Sequence, residues 1–132
     1  MRTLSILLFA SLSFLPACGG GAASHESVAK ESTQVMNNFV TTLESISDKK
    51  SAEAARPKLE AIEKSMEELK KKAEALGKAS PEVEAKLTEQ GKAQMGEIMR
   101  RMMAWSMKMA EHPEAMEPIK DVLDKMGKNT GR

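Results

Sequence analysis

The sequence predicts an all-α fold, either an antiparallel helical bundle or a long helical hairpin, with three main helices and a short C-terminal helix. Ala, Glu, Lys, Met and Leu dominate the 132 residues, and these residues favour helix. The chain has no Tyr, one Trp and three Phe, so strands have little support. Apolar residues recur at three- and four-residue steps, and the length suits one domain.

The first helix is predicted from about Glu26 to Ile46. Its apolar residues fall on one stripe, as expected for a helix that packs on one side. The stripe consists of Val28, Val35, Met36, Phe39, Leu43 and Ile46. Ser47 and Asp48 then interrupt the pattern, and Asp48 offers a cap for the next helix.

The second helix is predicted from about Lys49 to Leu76, with a heptad seam of the kind that packs against another helix. The seam consists of Ala52, Ala55, Leu59, Ile62, Met66, Leu69, Ala73 and Leu76. Pro57 removes one backbone hydrogen bond, so it either kinks one helix or separates two. Gly77 suits a left-handed helix stop.

The third helix has a clear start and is predicted to run to about Ala110. Ser80 is a good N-cap, and Pro81 suits the first helical turn. Gly91 and Gly96 lie inside this helix, where they either permit a close approach or a bend, or are simply tolerated.

A short last helix is predicted after His112 and Pro113, which end the third helix. Its apolar residues are Met116, Ile119, Val122, Leu123 and Met126. Gly127 is predicted to stop it, which leaves residues 128–132 as a disordered tail and residues 28–127 as the helical domain.

The first 19 residues have the pattern of an export leader. Residues 4–15 form an apolar run that is too short for a permanent membrane span. The motif Leu15-Pro16-Ala17-Cys18-Gly19 follows and resembles the lipobox of bacterial lipoproteins. The resemblance implies a signal peptide at 1–17, cleavage between Ala17 and Cys18, and a diacylglycerol on the Cys18 sulfur. An ordinary secretory signal followed by a free thiol is the alternative.

The resemblance also implies a cellular location. A lipidated Cys18 would attach the chain to a membrane of the cell envelope. In a Gram-negative host, Gly19 in place of Asp favours the outer membrane, facing the periplasm. Residues 18–27 are predicted to be the lipidated Cys and a flexible tether, in which nine residues reach roughly 30 Å.

Residues 95–109 form the most unusual stretch, MGEIMRRMMAWSMKM. On a helix its apolar arc spans roughly 200°, twice what an ordinary surface helix needs. The helix is therefore either central, with methionines filling core gaps, or presents a partner surface. The candidate surface is Met95, Met99, Met102, Met103, Trp105, Met107 and Met109.

Two cofactor hypotheses remain beside that interpretation. Soft thioethers select Cu(I), and Met95, Met99, Met102 and His112 are its candidate ligands. Cytochrome b562-like bundles are of similar length and hold haem between a Met and a His, which would be Met36 and His112 here. Because His112 precedes a proline at a helix break, we expect no haem. The lipid on Cys18 is then the expected attached group, and Cu(I) stays the alternative.

Catalytic motifs are missing from the sequence. It has two His, one Cys, and no metal-protease, phosphate-loop or dinucleotide-binding motif. We therefore expect no catalytic residues and no enzyme. The 20 basic residues include Arg2 of the leader, so the remainder is charge-balanced, which does not favour nucleic acid.

Residues 40–76 also resemble small secreted helical proteins of bacteria, on the pattern Asp48-Lys-Lys-Ser51-Ala52 followed by Ala55, Pro57, Lys58 and Leu59. That resemblance implies a helical hairpin and supplies no activity. The sequence as a whole predicts a non-catalytic envelope lipoprotein that binds another envelope protein or itself, with Cu(I) binding as the alternative.

Overall fold

The computed structural model describes residues 23–130, with side chains described through Lys128. It contains four α-helices: α1 (His25–Glu44), α2 (Lys49–Leu76), α3 (Pro81–Ala110) and α4 (Lys120–Thr130). Two short 3₁₀ turns, Pro113–Ala115 and Glu117–Ile119, join α3 to α4. No strand occurs between residues 23 and 130, so the predicted all-α fold with three main helices and a short fourth is confirmed.

Helix α1 is the central helix, because it packs against both α2 and α3. It runs antiparallel to α2, as the ion pair between Glu31 and Lys72 shows. It runs parallel to α3, since Glu26 pairs with Lys86 near one end and Glu44 pairs with Arg101 near the other. Within the described chain, no Cα of α2 comes within 8 Å of α3. Helix α3 is therefore covered mainly from the α1 side.

The core lies where α1, the first half of α2 and the C-terminal segment meet. Val40, Leu43 and Ile46 are fully buried beside Leu59 of α2. From the C-terminal segment, Ala115, Ile119, Val122 and Met126 complete this core. The predicted stripe of α1 is buried at Phe39, Leu43 and Ile46 and only half-buried at Val28, Val35 and Met36. The burial therefore decreases toward the start of α1.

Arg56 fastens the C-terminal segment onto α2. Its guanidinium donates two hydrogen bonds to the Asp121 carboxylate, at 2.8 and 2.6 Å. It also donates to the backbone carbonyl of Pro118 and, through Nε, to Glu60 at 3.0 Å. The hydrogen bonds from Arg56 hold the pKa of Asp121 below its usual value. The side chain thus connects one helix to a turn and to the helix after it.

The ends of α1 and α4 differ from the sequence-based boundaries. Ser24 and Ser27 form a capping box, so α1 begins at His25, inside the predicted tether. At the other end, α4 continues through Gly127 to Thr130 instead of stopping at the glycine. Gly127 lacks the positive φ of a helix stop, and the buried Met126 holds this turn against the core. Local capping at Ser24 and packing at Met126 therefore lengthen both helices.

Helix α2 passes through Pro57 without a break, so the proline lies inside one helix instead of separating two. Asp48 and Ser51 form its capping box. Gly77 ends the helix with the predicted positive φ, 68°, but its ψ of −155° differs from that of a left-handed helical stop. A Cβ placed on Gly91 or Gly96 would have no neighbouring heavy atom within 4 Å, so no close helix approach requires these two glycines.

A candidate interaction surface on the third helix

One face of α3 packs against the rest of the domain. Ile98 and Met109 are each 3% exposed and belong to the core. Met102 and Trp105 are half-buried and pack against the same core. These residues recur at steps of four, three and four along α3, so they lie on one side of the helix. This side faces α1 and the turn that follows α3.

The adjacent face carries what we call the methionine ridge, defined as Met95, Met99, Met103 and Met107. Their exposed fractions are 49%, 61%, 66% and 70%. Regular four-residue steps place them on successive turns, over a length of about 18 Å. Among the residues that the structure describes, these four are the exposed large hydrophobic side chains. The surface therefore has one continuous apolar ridge, and its members are all methionines.

The broad apolar arc predicted from the sequence is thus divided between two environments. Four of the seven candidate surface residues, Met95, Met99, Met103 and Met107, form the exposed ridge. The other three, Met102, Trp105 and Met109, face the core. The sequence could not place the dividing line, because the width of an apolar arc does not tell how many neighbours a helix has.

Three charged residues within the segment of the ridge, Glu97, Arg100 and Arg101, are paired. Arg100 donates two hydrogen bonds to Glu97 within α3, at 3.1 and 2.6 Å, and lowers the pKa of that carboxyl group. On the side toward α1, Arg101 donates to the Glu44 carboxylate and to the Thr41 hydroxyl, the latter at 3.1 Å. The hydrogen bonds that Glu44 accepts from Arg101 hold the pKa of its carboxyl group below the usual value. Arg101 therefore connects α3 to α1.

The four candidate Cu(I) ligands of the sequence prediction do not form one common site. Met95 and Met99 lie on the ridge, whereas Met102 packs toward the core. His112 lies beyond the end of α3, about 20 Å from Met99 along the axis of that helix. Its Nδ1 atom is 3.3 Å from the Glu114 carboxylate. Within residues 23–130, no three His, Cys, Asp or Glu side chains form a group that could hold a metal ion.

The structure also keeps the candidate haem ligands apart. Met36 lines a groove between α1 and α2, on the side of Met66 and Leu69. His112 follows α3 and is not among the residues that line that groove. A common site for the Met36 thioether and the His112 ring is therefore not formed.

The groove between α1 and α2 is a second apolar surface, which the sequence analysis did not identify. It is open, has a volume of about 230 Å³, and lies beside the start of α1. Its lining residues are Val28, Ser32, Val35, Met36, Met66, Leu69, Lys70 and Ala73. The sequence did contain a signal for this groove, because its apolar lining residues come from the first part of the α1 stripe and the last part of the α2 seam. The sequence predicts that the seam packs against another helix, and α1 fills that role while leaving this part of the contact open as a groove.

Trp105 can report on this part of the molecule. Its indole Nε1 is buried and has no hydrogen-bond partner among the described residues. The chain contains one Trp and no Tyr, so its intrinsic fluorescence comes from this side chain. Because Trp105 is half-buried on the face of α3 that packs against the core, its emission should follow the docking of α3 on α1.

Comparison of the chain with protein-family models, with curated proteins and with solved structures found no match. Among the helices described, none combines the length and the apolar character needed to cross a membrane. The predicted leader, with Ala17 and Cys18, lies outside the described residues.

Proposed function

We propose that this chain is a lipid-anchored protein of the bacterial cell envelope whose non-catalytic helical domain docks onto another envelope protein or onto a second copy of itself. The methionine ridge is the docking surface. One observation carries this proposal: the large apolar side chains exposed on the described surface all lie on this ridge. Contiguous exposed apolar surface is a common mark of an interaction site.

The chemistry of methionine supports an adaptable docking surface. Its side chain is unbranched and polarizable, so a row of methionines can adjust to differently shaped apolar partners. Four half-exposed to mostly exposed methionines present on the order of 500 Å² of side-chain surface, less than the ~800 Å² per partner of a standard stable interface. The proposed contact is therefore transient, or is strengthened by confinement of both partners to one membrane.

The anchor supports such confinement. The sequence predicts a lipid on Cys18, and α1 begins at His25. The seven intervening steps of chain reach about 25 Å at most. A domain on so short a tether meets partners in or near the same membrane, where the effective concentration is high.

The anchor is tested by the mass of the mature N-terminus. We expect the chain purified from its bacterial membranes to begin at Cys18 and to carry the mass of attached acyl groups. A Cys18→Ser variant should retain its leader and lack the lipid. An unmodified Cys18 sulfur on a cleaved chain would contradict lipidation and favour an ordinary secretory signal.

Docking is tested by photo-crosslinking in the host bacterium. A photoreactive amino acid at Met103, in the middle of the ridge, should yield a discrete crosslinked product. The same amino acid at Lys64, an exposed position of α2, is the matched control and should yield none. A product of twice the chain mass indicates self-association, and any other mass indicates a different partner. Absence of a product at Met103, or equal products at both positions, would overturn the proposal.

The apolar nature of the contact is tested by two versions of the ridge. In these variants the photoreactive amino acid replaces Ser106, which neighbours the ridge. Replacing all four methionines by Leu keeps the ridge apolar and should preserve the crosslinked product. Replacing all four by Gln makes the ridge polar and should abolish it. Because the four side chains are exposed, both variants should fold, which circular dichroism can verify.

A further inference from the structure

We propose that the methionine ridge also binds Cu(I), through pairs of thioethers on successive turns of α3. This inference goes beyond docking, because it concerns the sulfur atoms of the ridge and not its apolar character. It also replaces the ligand set predicted from the sequence. That set includes Met102 and His112, which the fold separates, whereas the ridge methionines are neighbours on one helix.

The residue type is the first argument. The buried core of the described chain uses Leu, Ile, Val, Phe and Ala together with Met109 and Met126, and four half-buried methionines pack against it: Met36, Met66, Met102 and Met116. The exposed large hydrophobic side chains are instead exclusively methionines. A surface that needed only apolar area could use Leu, which has comparable or better helix propensity. What methionine adds at an exposed position is a thioether, which is a soft ligand.

The spacing is the second argument. Residues four apart on a helix have Cβ atoms about 5–6 Å apart, on the same face. Met95 and Met99, Met99 and Met103, and Met103 and Met107 are three such pairs. Long flexible side chains on neighbouring turns can bring two sulfur atoms to one ion. If no thioether is shared, the four methionines hold two ions, one at Met95–Met99 and one at Met103–Met107.

The surroundings favour a soft ion over a harder one. Glu97, the nearest acidic side chain within the ridge segment, is hydrogen-bonded to Arg100. No group of three His, Cys, Asp or Glu is placed to hold a metal within the described residues, so ions that require such ligands have no competing site there. Lys92 and Arg100 flank the ridge and oppose cation binding, but solvent screens charges at this exposed position. Binding must therefore come from the sulfur atoms.

The test is an anaerobic titration of the full-length chain with Cu(I), in detergent and in competition with a chromogenic Cu(I) chelator. Every protein carries Cys18→Ser, so that a thiol cannot bind the metal. We expect two ions per chain. The variant with Leu at all four ridge positions should bind Cu(I) about tenfold more weakly or not at all. Retention of both ions by this variant would overturn the proposal.

Two double variants provide the sharpest comparison, because both remove two ridge methionines. M95L/M99L leaves Met103 and Met107 as a neighbouring pair and should bind one ion. M99L/M103L leaves Met95 and Met107 about 18 Å apart and should bind none with comparable affinity. Equal binding by the two double variants would contradict the pairwise site, because binding would then depend on the number of methionines and not on their spacing.

A further control concerns methionines elsewhere. Met36 and Met66 line the α1–α2 groove together. The variant M36L/M66L should still bind two ions, and a loss of binding there would place the metal in the groove and overturn the ridge proposal.

The failure of metal binding is distinguishable from the failure of docking. The variant with four Leu residues keeps docking and loses Cu(I), whereas the variant with four Gln residues loses both.

Discussion

Helices α1 and α3 reverse the roles that their sequences suggest. Helix α1 has a narrow apolar stripe, yet it lies in the centre and packs on two sides. Helix α3 has a broad apolar arc between residues 95 and 109, yet it lies at the edge, and its four ridge methionines face solvent. The width of an apolar arc therefore does not measure how central a helix is.

The second side of α1 explains the reversal, because much of it contacts α3 through polar groups. Thr33 donates to Gln94 at 3.1 Å, and Glu26 accepts from Lys86 at 2.6 Å. Near the other end, Glu44 and Thr41 accept hydrogen bonds from Arg101. A helix can thus be central without a second apolar stripe, and the helix docked on it can keep apolar surface for another contact.

The largest expected effect is a difference in the free energy of unfolding between alanine variants at a core position of α1 and at a ridge position of α3. Leu43 is 1% exposed, so Leu43→Ala should lower the free energy of unfolding by about 2–5 kcal/mol, since it removes buried contacts and leaves a cavity. Met103→Ala should change it by less than about 0.5 kcal/mol, because the side chain is exposed. Urea denaturation followed by circular dichroism measures both. A loss at Met103 comparable to that at Leu43 would mean that the ridge is covered.

A smaller effect concerns the open side of α3. Gly96 adjoins the ridge, and a Cβ there would meet no heavy atom within 4 Å. Gly96→Ala should therefore stabilise the protein by about 0.5–1 kcal/mol, through helix propensity. Gly77→Ala is the matched control with the opposite sign, because Gly77 has a φ of 68° that alanine adopts only with strain. Thermal unfolding of the two variants tests this contrast, and destabilisation by Gly96→Ala would imply an unseen neighbour on that face.

The smallest effect is a pH dependence of the docking of α3 on α1. Hydrogen bonds from Lys86 and Arg101 lower the pKa values of Glu26 and Glu44 from the usual 4.5. A lowered folded-state pKa means that this stabilisation is present above about pH 4.5 and is lost as the pH falls through the lowered values. Trp105 fluorescence during acid titration should report a loosening of α3 in that range.

The matched control for this titration is Glu97, whose pKa is also lowered, but by Arg100 within α3 itself. Glu44→Gln should weaken the pH dependence of Trp105 emission. Glu97→Gln should change it less, because Glu97 interacts with Arg101 and Glu44 without a hydrogen bond to either. Because these ion pairs are exposed, high salt should reduce the effect. Identical titrations of the two variants would show that Trp105 does not sense the contact between α3 and α1.

The features that the sequence predicted well depend on local physics. Ser80 with Pro81, Asp48 and Gly77 mark helix ends through hydrogen bonds and backbone angles within a few residues. The heptad seam of α2 likewise predicted the burial of Ala52, Ala55, Leu59, Ile62 and Leu69. These elements require no knowledge of which helices become neighbours.

The features that the sequence did not determine depend on tertiary arrangement. Val40 of α1 is fully buried although it lies outside the predicted stripe, and α1 packs against two helices instead of one. Predicting which of the seven candidate surface residues of α3 are exposed and which are buried likewise requires knowing which helices pack against each other. The sequence thus identified the methionine-rich segment, and the position of α1 decided which of its side chains face solvent.

The most direct test of this account is NMR of the full-length chain with ¹³C-labelled methionine methyl groups and a soluble paramagnetic agent. The account predicts that the methyl signals of Met95, Met99, Met103 and Met107 broaden first and that those of Met109 and Met126 persist. Ridge methyl groups as well protected as that of Met109 would contradict it, because α3 would then have no apolar ridge to offer a partner or a metal ion.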